Sequence, residues 1–265
     1  MKDLTVALYQ MDVQTGKKAT NLEKVAKVIQ KHQTGQIELL VLPELFTTGF
    51  AYDHFPNLAE VEDESPTLQQ LELLARKNEL GLAGTILTTG TKYEQYFNLG
   101  FIIAPEEGVI YKYHKIHLWG REKDFFTPGI TIPKPVFFAG KANIALATCY
   151  DLRFPEVYRK FAFSGAEVLI TPAAWPKQRV QHFHLLSRAR ALENTCYHIA
   201  VNRFGEEQTD FIVSYNGGSG IFSPFGEELV KTPSEESFKV YKLSAHQLSI
   251  ARKTIPVLAD AKMRF

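Results

Sequence analysis

The chain has 265 residues, of which 45% are hydrophobic and 22% are charged, a composition typical of folded globular proteins. Its 30 Lys and Arg residues nearly balance its 29 Asp and Glu residues, so no excess of positive charge indicates a nucleic-acid partner. Two cysteines, Cys149 and Cys196, are too few for a disulfide framework. No apolar run reaches the roughly 18 residues of a membrane-spanning helix, and residues 1–10 lack a signal-peptide core. We therefore expect a cytoplasmic protein with no nucleic-acid or membrane partner.

Apolar periodicity predicts the elements of the N-terminal half. Residues 21–30 place apolar side chains at helical spacing, which predicts an amphipathic helix. Ser65 followed by Pro66 predicts the start of a second helix, because serine caps a helix and proline suits its first position. Residues 105–108 form the predicted hairpin connection between two strands. The strands predicted in this half are 4–9, 38–43, 82–88, 96–104 and 109–113.

The C-terminal half is predicted to mix strands with two further helices, at 154–164 and 180–193, and to finish in a helix or a tail. Adjacent strand pairs among helices indicate a mixed sheet rather than a purely parallel one. No linker or repeat divides the chain, so we predict one domain, residues 1–265, of the mixed α/β class with helices covering two packed sheets. The strands predicted in this half are 142–148, 168–171, 197–201, 220–222, 228–231 and 238–243.

Cys149 is the first candidate for chemistry, since it ends an apolar strand and precedes a turn into a helix. The amides at a helix start carry partial positive charge that favours a thiolate, and such a turn can direct a backbone N–H at a developing oxyanion. The alternative is a buried small hydrophobe, which is common for a free cysteine. Cys196, after the long predicted helix, fits that alternative.

Glu44 and Lys115 are the second and third candidates. Glu44 directly follows a buried strand and has apolar neighbours on both sides, a setting that suits a carboxyl in proton transfer. Lys115 lies in the segment 111–118, where a buried ammonium could stabilise the negative charge of a tetrahedral intermediate. Taken alone, Glu44 is equally consistent with a strand-end glutamate that faces water. Lys115 taken alone is better explained as a solvated basic strand end.

Three motifs in this order resemble the nitrilase superfamily of carbon–nitrogen hydrolases: Pro43-Glu44, the segment 114–118, and the segment 149–156. The resemblance runs along nearly the whole chain. It implies a four-layer α-β-β-α sandwich, which commonly pairs with a second subunit as a homodimer. Further matching blocks lie at 125–129, 172–176 and 188–194.

The resemblance also implies a catalytic triad of Glu44 as base, Lys115 as oxyanion partner and Cys149 as nucleophile, with Glu122 orienting the lysine or assisting proton transfer. The implied reaction is hydrolysis of a small carboxamide through a cysteine thioester. The oxyanion would be held by the lysine together with the Tyr150 backbone N–H, and water would then cleave the thioester. This chemistry needs no cofactor and no metal.

The residues after the cysteine and the segment 44–50 resemble the ω-amidase and deaminated-glutathione-amidase branch. The implied substrates are monoamides of short dicarboxylates, such as 2-oxoglutaramate, or deaminated glutathione, and their remote carboxylate requires a cationic partner. Phe50, Tyr150 and Trp175 are predicted to line the substrate pocket. The cationic candidates are Arg153, Lys177, Arg179 and Arg121, and Arg153 is equally consistent with a structural ion pair.

Three alternative functions remain open at this point. The first is a nitrilase acting on nitriles, and the second is a cysteine hydrolase of another fold that uses His114 or His117 as base. The third is a catalytically silent small-molecule-binding module. A metal site is not indicated, because His182 and His184 are two residues apart in a predicted helix and do not face each other.

Overall fold

The computed structural model describes residues 1–32, 35–90, 95–209 and 211–262. Short 3₁₀ turns lie at Tyr52–His54, Glu62–Glu64, Cys149–Arg153 and Lys177–Arg179. The helices of the described residues are α1 Lys18–Lys31, α2 Phe55–Leu58, α3 Pro66–Lys77, α4 Glu122–Phe125, α5 Pro155–Phe163, α6 Val180–Asn194, α7 Ala245–Thr254 and α8 Val257–Asp260. Within the described part of the chain, no helix combines the length and the apolar character that crossing a bilayer requires.

Two large sheets and one hairpin contain the strands. In chain order the strands are β1 Leu4–Gln10, β2 Leu39–Val41, β3 Glu60–Val61, β4 Gly81–Thr89, β5 Tyr96–Ala104, β6 Gly108–His114, β7 Val136–Phe138, β8 Ala142–Leu146, β9 Val168–Ala173, β10 Tyr197–Asn202, β11 Phe204–Gln208, β12 Ile212–Asn216, β13 Gly220–Phe222, β14 Glu228–Lys231 and β15 Ser237–Leu243. The first sheet has the order β15-β1-β2-β4-β5-β6, with β3 beside β4, and the second has the order β14-β13-β10-β9-β8-β7. Strands β11 and β12 pair separately.

Each sheet has parallel strands at its centre and antiparallel strands at its edges. Strand β2 is parallel to both β1 and β4, and β9 is parallel to both β8 and β10. Strands β5, β6 and β15 in the first sheet, and β7, β13 and β14 in the second, pair antiparallel. The prediction of a mixed sheet is therefore confirmed.

The two sheets pack face to face, and helices cover the outer faces. Helix α1 buries Leu22, Val25 and Ile29 at helical spacing, and with α3 it packs on one face of the first sheet. The opposite face contributes to the apolar core shared with the second sheet and with α5 and α6. The Tyr111 hydroxyl on β6 donates to the Leu146 carbonyl on β8 at 3.0 Å and so bridges the sheets. The predicted four-layer α-β-β-α sandwich is confirmed.

Most predicted elements appear within a few residues of their expected bounds. The Ser65 hydroxyl accepts from the Leu68 N–H at 3.1 Å, so the predicted cap of α3 is present. The strand predicted at 142–148 ends earlier, because the Thr148 N–H turns away from the sheet to bind Asp151. The predicted C-terminal helix or tail is α7 and α8, and residues 263–265 of it lie outside the described residues.

Strands β3, β7, β11 and β12 were not predicted. Strand β7 follows the segment Pro133-Lys134-Pro135 directly and is three residues long. Its apolar run is too short to indicate a strand. Strand β11 has the sequence Phe-Gly-Glu-Glu-Gln, which carries little apolar alternation. Its hairpin is instead held by the ladder with β12 and by a buried ion pair between Arg203 and Glu207 at 2.7 Å.

A chain of hydrogen bonds between the second sheet and the helices α5 and α6 fixes the state of a buried histidine. The Tyr158 hydroxyl donates to the Thr171 hydroxyl at 2.7 Å, which in turn donates to Nε2 of His198 at 2.8 Å. Nδ1 of His198 donates to the Ser187 carbonyl at 2.8 Å, because a carbonyl can only accept. Burial lowers the pKa of His198 to about 4, so the imidazole is neutral at physiological pH.

This depressed pKa predicts an acid-sensitive contribution to stability. The unfolded imidazole, with a pKa near 6.5, binds a proton before the folded one does as the pH falls. Relative to a His198→Gln variant, the wild-type free energy of unfolding should therefore fall by about 1.4 kcal/mol per pH unit between pH 6.5 and about pH 4. Urea denaturation of both proteins at several pH values measures the difference in slope. Parallel slopes would contradict the buried neutral histidine.

Candidate active site

The structure brings the three sequence candidates together where separate strands end. Glu44 follows β2, Lys115 follows β6, and Cys149 follows β8 by three residues. The Lys115 ammonium lies 2.7 Å from Oε1 of Glu44, and the Cys149 thiol lies close enough to the same carboxylate for Glu44 to raise the pKa of the thiol. Glu44 and Lys115 have almost no exposure to solvent, whereas Cys149 is 7% exposed and lies at the floor of a cavity. A carboxylate, an ammonium and a thiol thus share one small space.

Backbone and amide donors hold the Glu44 carboxylate in place. Nδ2 of Asn98 on β5 donates to Oε1 at 2.8 Å, and the Ala174 N–H donates to Oε2 at 2.8 Å. The next residue, Leu45, has a φ of 43° and donates its N–H to the Thr85 hydroxyl at 2.8 Å. A left-handed conformation at a leucine is strained, and it is maintained here by this buried contact. The carboxylate therefore has a fixed direction toward the ammonium and the thiol.

Two carboxylates surround the Lys115 ammonium. Besides Glu44, the two oxygens of Glu122 lie 2.7 and 2.8 Å from Nζ. Burial lowers the pKa of Lys115, but Glu122 and Glu44 together outweigh burial and raise it well above its ordinary value. The lysine backbone is held on both sides, since its N–H donates to the Asn98 carbonyl at 3.0 Å and its carbonyl accepts from the Gly129 N–H at 2.9 Å. The side chain therefore remains a fixed cation.

Glu122 is the first residue of α4 and is 4% exposed. Burial raises its pKa to about 7, the Glu44 carboxylate adds to the rise, and Lys115 opposes it. At neutral pH the Glu122 carboxyl is therefore divided between its protonated and ionised forms. The sequence analysis expected Glu122 to orient Lys115 or to assist proton transfer. Its carboxyl lies within hydrogen-bond distance of the ammonium, and it can exchange a proton near neutral pH.

The Cys149 thiol is neutral in the resting site, which corrects the sequence expectation of a favoured thiolate. Burial raises the pKa of Cys149 well above its ordinary value, and Glu44 adds to the rise while Lys115 opposes it. The residue has a φ of 45° and begins a 3₁₀ turn of five residues, so the regular helix α5 starts only at Pro155. The amides at the start of this short turn do not outweigh burial and a neighbouring carboxylate. A base must therefore remove the thiol proton.

The cavity above the thiol has a volume of about 480 Å³. Three of the predicted pocket residues, Phe50, Tyr150 and Trp175, line it, and so does Arg153. Arg121 and Arg179 also lie in its wall. The sequence candidate Lys177 does not line the cavity and is exposed outside it, so that part of the prediction is wrong.

Arginines at the cavity wall lie over aromatic rings. The Arg153 guanidinium is 4.9 Å from the centre of the Trp175 ring, and its Nη2 donates to Nδ1 of His182 at 3.2 Å. Arg179 lies 5.0 Å from the Trp119 ring. Among the described residues, no carboxylate lies within salt-bridge distance of Arg153, which disfavours the alternative of a structural ion pair. The guanidinium is available to an anion in the cavity.

The two histidines that the sequence analysis raised as alternative bases, His114 and His117, contact other acidic residues and not Glu44. Nε2 of His114 lies 2.6 Å from Glu62, and Nδ1 of His117 lies 2.7 Å from Asp151. His184 contacts Glu228 at 3.1 Å. Over residues 1–32, 35–90, 95–209 and 211–262, no cluster of three or more metal-ligating side chains occurs.

Sequence reasoning missed three residues that shape this site. Asn98 is a polar residue in an apolar strand, a signal that could have been noticed, and Asp151 lies inside a recognised motif without an assigned role. Glu207 on β11 gave no signal, because its surroundings are polar in sequence. Its buried carboxylate accepts from the Phe50 N–H at 2.7 Å and from the Tyr215 hydroxyl at 2.8 Å, and so fixes one wall of the cavity.

Comparison with known proteins agrees with this geometry. The carbon–nitrogen hydrolase family model matches residues 5–248. The chain belongs to this family. The 2-oxoglutaramate amidase of Bacillus subtilis is 30% identical over 97% of each chain, and a nitrilase of Pyrococcus abyssi is 32% identical over 91% of this chain and 90% of its own.

Solved structures of this carbon–nitrogen hydrolase family show the same fold. Saccharomyces cerevisiae Nit3, a member of branch 10 of the nitrilase superfamily, superimposes with a TM-score of 0.89 at 27% identity, covering 100% of this chain and 97% of its own. A variant of the amidase from Nesterenkonia sp. AN1 superimposes with a TM-score of 0.85 at 25% identity, covering 98% and 94%. That amidase carries the acetamide moiety of fluoroacetamide on its active-site cysteine. The present carbon–nitrogen hydrolase is thus an amidase, acting on bonds other than peptide bonds, and the sequence resemblance is confirmed.

Gly129 gives a test of how tightly this amidase site is packed. A Cβ at Gly129 would lie 2.2 Å from the His114 carbonyl oxygen and 2.9 Å from its carbon. Because backbone cannot rotate away, Gly129→Ala should displace the segment carrying Lys115 and lower kcat by about 10²-fold. The matched control is Gly35→Ala, whose Cβ would meet no atom within 4 Å. Equal ammonia-release rates in the two variants would contradict the tight packing.

Proposed function

We propose that the protein is an ω-amidase, which hydrolyses the terminal amide of a short dicarboxylate monoamide such as 2-oxoglutaramate and releases ammonia. The observation that carries the proposal is the contact of Glu44 with both Lys115 and the Cys149 thiol, beneath a cavity with arginine in its wall. A relative at 30% identity bears the name 2-oxoglutaramate amidase, which supports this substrate class.

The first half of the reaction forms a thioester. Glu44 takes the thiol proton while the Cys149 sulfur attacks the amide carbon, and the carbonyl oxygen becomes an oxyanion. The carbon–nitrogen bond then breaks, and the departing nitrogen leaves as ammonia after accepting the proton that Glu44 holds. The neutral resting thiol makes this base necessary, since little thiolate exists before substrate binds.

The second half is hydrolysis of the thioester. Ammonia departure leaves room for a water molecule, from which Glu44 removes a proton as the oxygen attacks the thioester carbon. The carbon–sulfur bond breaks, and Glu44 returns the proton to the Cys149 sulfur. The carboxylic acid product leaves and loses its proton to solvent. The same carboxylate thus serves both halves of the reaction.

Positive charge and a backbone donor would stabilise the oxyanion in both halves. Lys115 is a fixed cation beside the thiol, and the Tyr150 N–H follows the nucleophile in the chain. No backbone acceptor for the Tyr150 N–H occurs among the described residues, so this donor is available to a substrate oxygen. Glu122 orients the lysine, and its pKa of about 7 suits it to assist proton transfer.

Substrate recognition would combine an apolar wall with one cation. Phe50, Tyr150 and Trp175 line the cavity and would contact the carbon chain of the substrate. Arg153 would bind the remote carboxylate, because its guanidinium lies in the wall with a histidine as hydrogen-bond partner and an aromatic ring beneath it.

A nitrilase is the second candidate function, because a relative of that name is 32% identical to this chain. A thiol assisted by a base and a cation can also add to the carbon of a nitrile. The triad alone therefore does not distinguish an amide substrate from a nitrile substrate. Deaminated glutathione is an alternative amide substrate. A homodimer, a cytoplasmic location and a single domain over residues 1–265 stay predictions. The exposed side chains of Leu185 and Leu192 on α6 offer apolar surface to a second copy.

Parallel substrate assays test the proposal. We expect ammonia release from 2-oxoglutaramate and from succinamate to exceed release from deaminated glutathione and from the nitrile analogue of succinamate. Cys149→Ala and Glu44→Gln should each reduce the rate by about 10³-fold or more. Cys196→Ala is the matched control, because that buried thiol lies outside the cavity lining and should leave the rate unchanged. Normal turnover by Cys149→Ala would overturn the mechanism, and preferred turnover of the nitrile would favour the second candidate.

The role of Arg153 has its own test. Arg153→Leu should raise KM for succinamate by about tenfold to a hundredfold, because a charged hydrogen bond to the substrate carboxylate is lost. The KM for butyramide, which lacks the carboxylate, should change little. Lys177→Leu removes a positive charge outside the cavity and is the control for long-range electrostatics. Equal effects of Arg153→Leu on both amides would show a structural role instead.

A further inference from the structure

The buried carboxylate of Asp151 has four donor groups around it. Oδ2 accepts from the Tyr113 hydroxyl at 2.7 Å and from the Thr148 N–H at 3.1 Å. Oδ1 accepts from the His117 N–H at 2.9 Å and lies 2.7 Å from Nδ1 of the same histidine. The side chain is fully buried. Such a charge is stable only while these donors stay in place, so the carboxylate fixes the donors as much as they fix it.

These donors come from the two segments that carry the reacting groups. Tyr113 and His117 lie two residues before and two residues after Lys115, and Thr148 directly precedes Cys149. The carboxylate therefore ties both sides of the lysine to the backbone that enters the cysteine turn. The segments come from different sheets, since β6 belongs to the first and β8 to the second.

A stacking contact between His117 and Phe154 also joins the lysine segment to the cysteine turn. The His117 ring stacks on Phe154, with ring centres 3.5 Å apart and planes 7° apart. Phe154 follows the 3₁₀ turn that begins at the cysteine, and its N–H donates to the Asp151 carbonyl at 2.9 Å. The histidine is thereby held to the middle of this turn and to the residue that follows it. Its imidazole therefore joins the segment that carries Lys115 to the segment that carries Cys149.

We propose that Asp151 is a positioning residue for amide hydrolysis, which sets the Lys115 ammonium and the Cys149 sulfur at their working separation without touching the substrate. The inference rests on the proposed roles of these two residues. An error of about 1 Å in such a separation costs on the order of 10²-fold in rate. The carboxylate is suited to this task because it accepts from both segments at once.

Tyr113→Phe is the most informative variant, since it removes one hydroxyl and keeps the ring. We expect kcat to fall about tenfold, because one donor to a buried charge is lost, while KM changes by less than about twofold. Tyr111→Phe is the matched control. Tyr111 lies on the same strand and its buried hydroxyl also bridges to the second sheet, but it binds the Leu146 carbonyl instead of Asp151. This control should keep the wild-type kcat.

Asp151→Asn tests the carboxylate directly. An amide nitrogen would place a donor against the donors from Thr148 or His117, so kcat should fall by about 10²-fold. The double variant with Tyr113→Phe should lose little more than Asp151→Asn alone, because both changes break the same connection. If Asp151→Asn does not fold, the two tyrosine variants still decide the matter.

The rate at which iodoacetamide alkylates Cys149 separates positioning from simple stabilisation. It should fall together with kcat in Tyr113→Phe and Asp151→Asn, measured by mass spectrometry at a temperature where thermal melts show every variant folded. Wild-type kcat and alkylation in Tyr113→Phe, or losses equal to those of Tyr111→Phe, would overturn the proposal. Failure of the catalytic proposal has a different signature, because Cys149→Ala would then retain turnover.

Discussion

The arrangement of this protein depends on one buried ammonium. Lys115 has almost no exposure, and an isolated charge there would be too costly to keep in the folded state. Glu44 and Glu122 lie within 2.8 Å of it and compensate that cost. Because the two carboxylates are themselves buried, each has to be held by further donors, as Asn98 and the Ala174 N–H hold Glu44. The requirement to satisfy one cation thus fixes the ends of several strands.

The four-layer sandwich is what allows these groups to meet. Strand β2 and strand β6 deliver a carboxylate and an ammonium from the first sheet, and β8 delivers the thiol from the second. Packing the sheets face to face brings the strand ends of both to one cavity, where the backbone is left-handed at Cys149 and at Leu45, the residue after Glu44. The apolar core between the sheets therefore determines catalytic distances as well as stability.

The sequence predicted the architecture and pointed to the three residues that the fold brings together, because both leave local patterns. Periodic apolar residues mark the strands and helices, and the motifs around Glu44, Lys115 and Cys149 are contiguous in the chain. Contacts between distant segments leave no such pattern. Glu207 reaches the Phe50 N–H across 157 positions of sequence, and the polar hairpin that carries it gave no sign of this. The protonation state of the thiol was mispredicted for the same reason, because it depends on burial and on Glu44 rather than on the adjoining turn.

That protonation state has a consequence for how the site stabilises charge. A permanent thiolate would add a third negative group around a single ammonium, next to Glu44 and a partly ionised Glu122. A neutral thiol avoids this repulsion, and in the proposed mechanism negative charge would reach the substrate oxygen only as the proton moves from sulfur to carboxylate. Glu44 would lose its charge at that moment, so the attraction between Lys115 and Glu44 would weaken as the oxyanion forms. The cation would thereby favour the transition state over the resting complex, which is the condition for electrostatic catalysis.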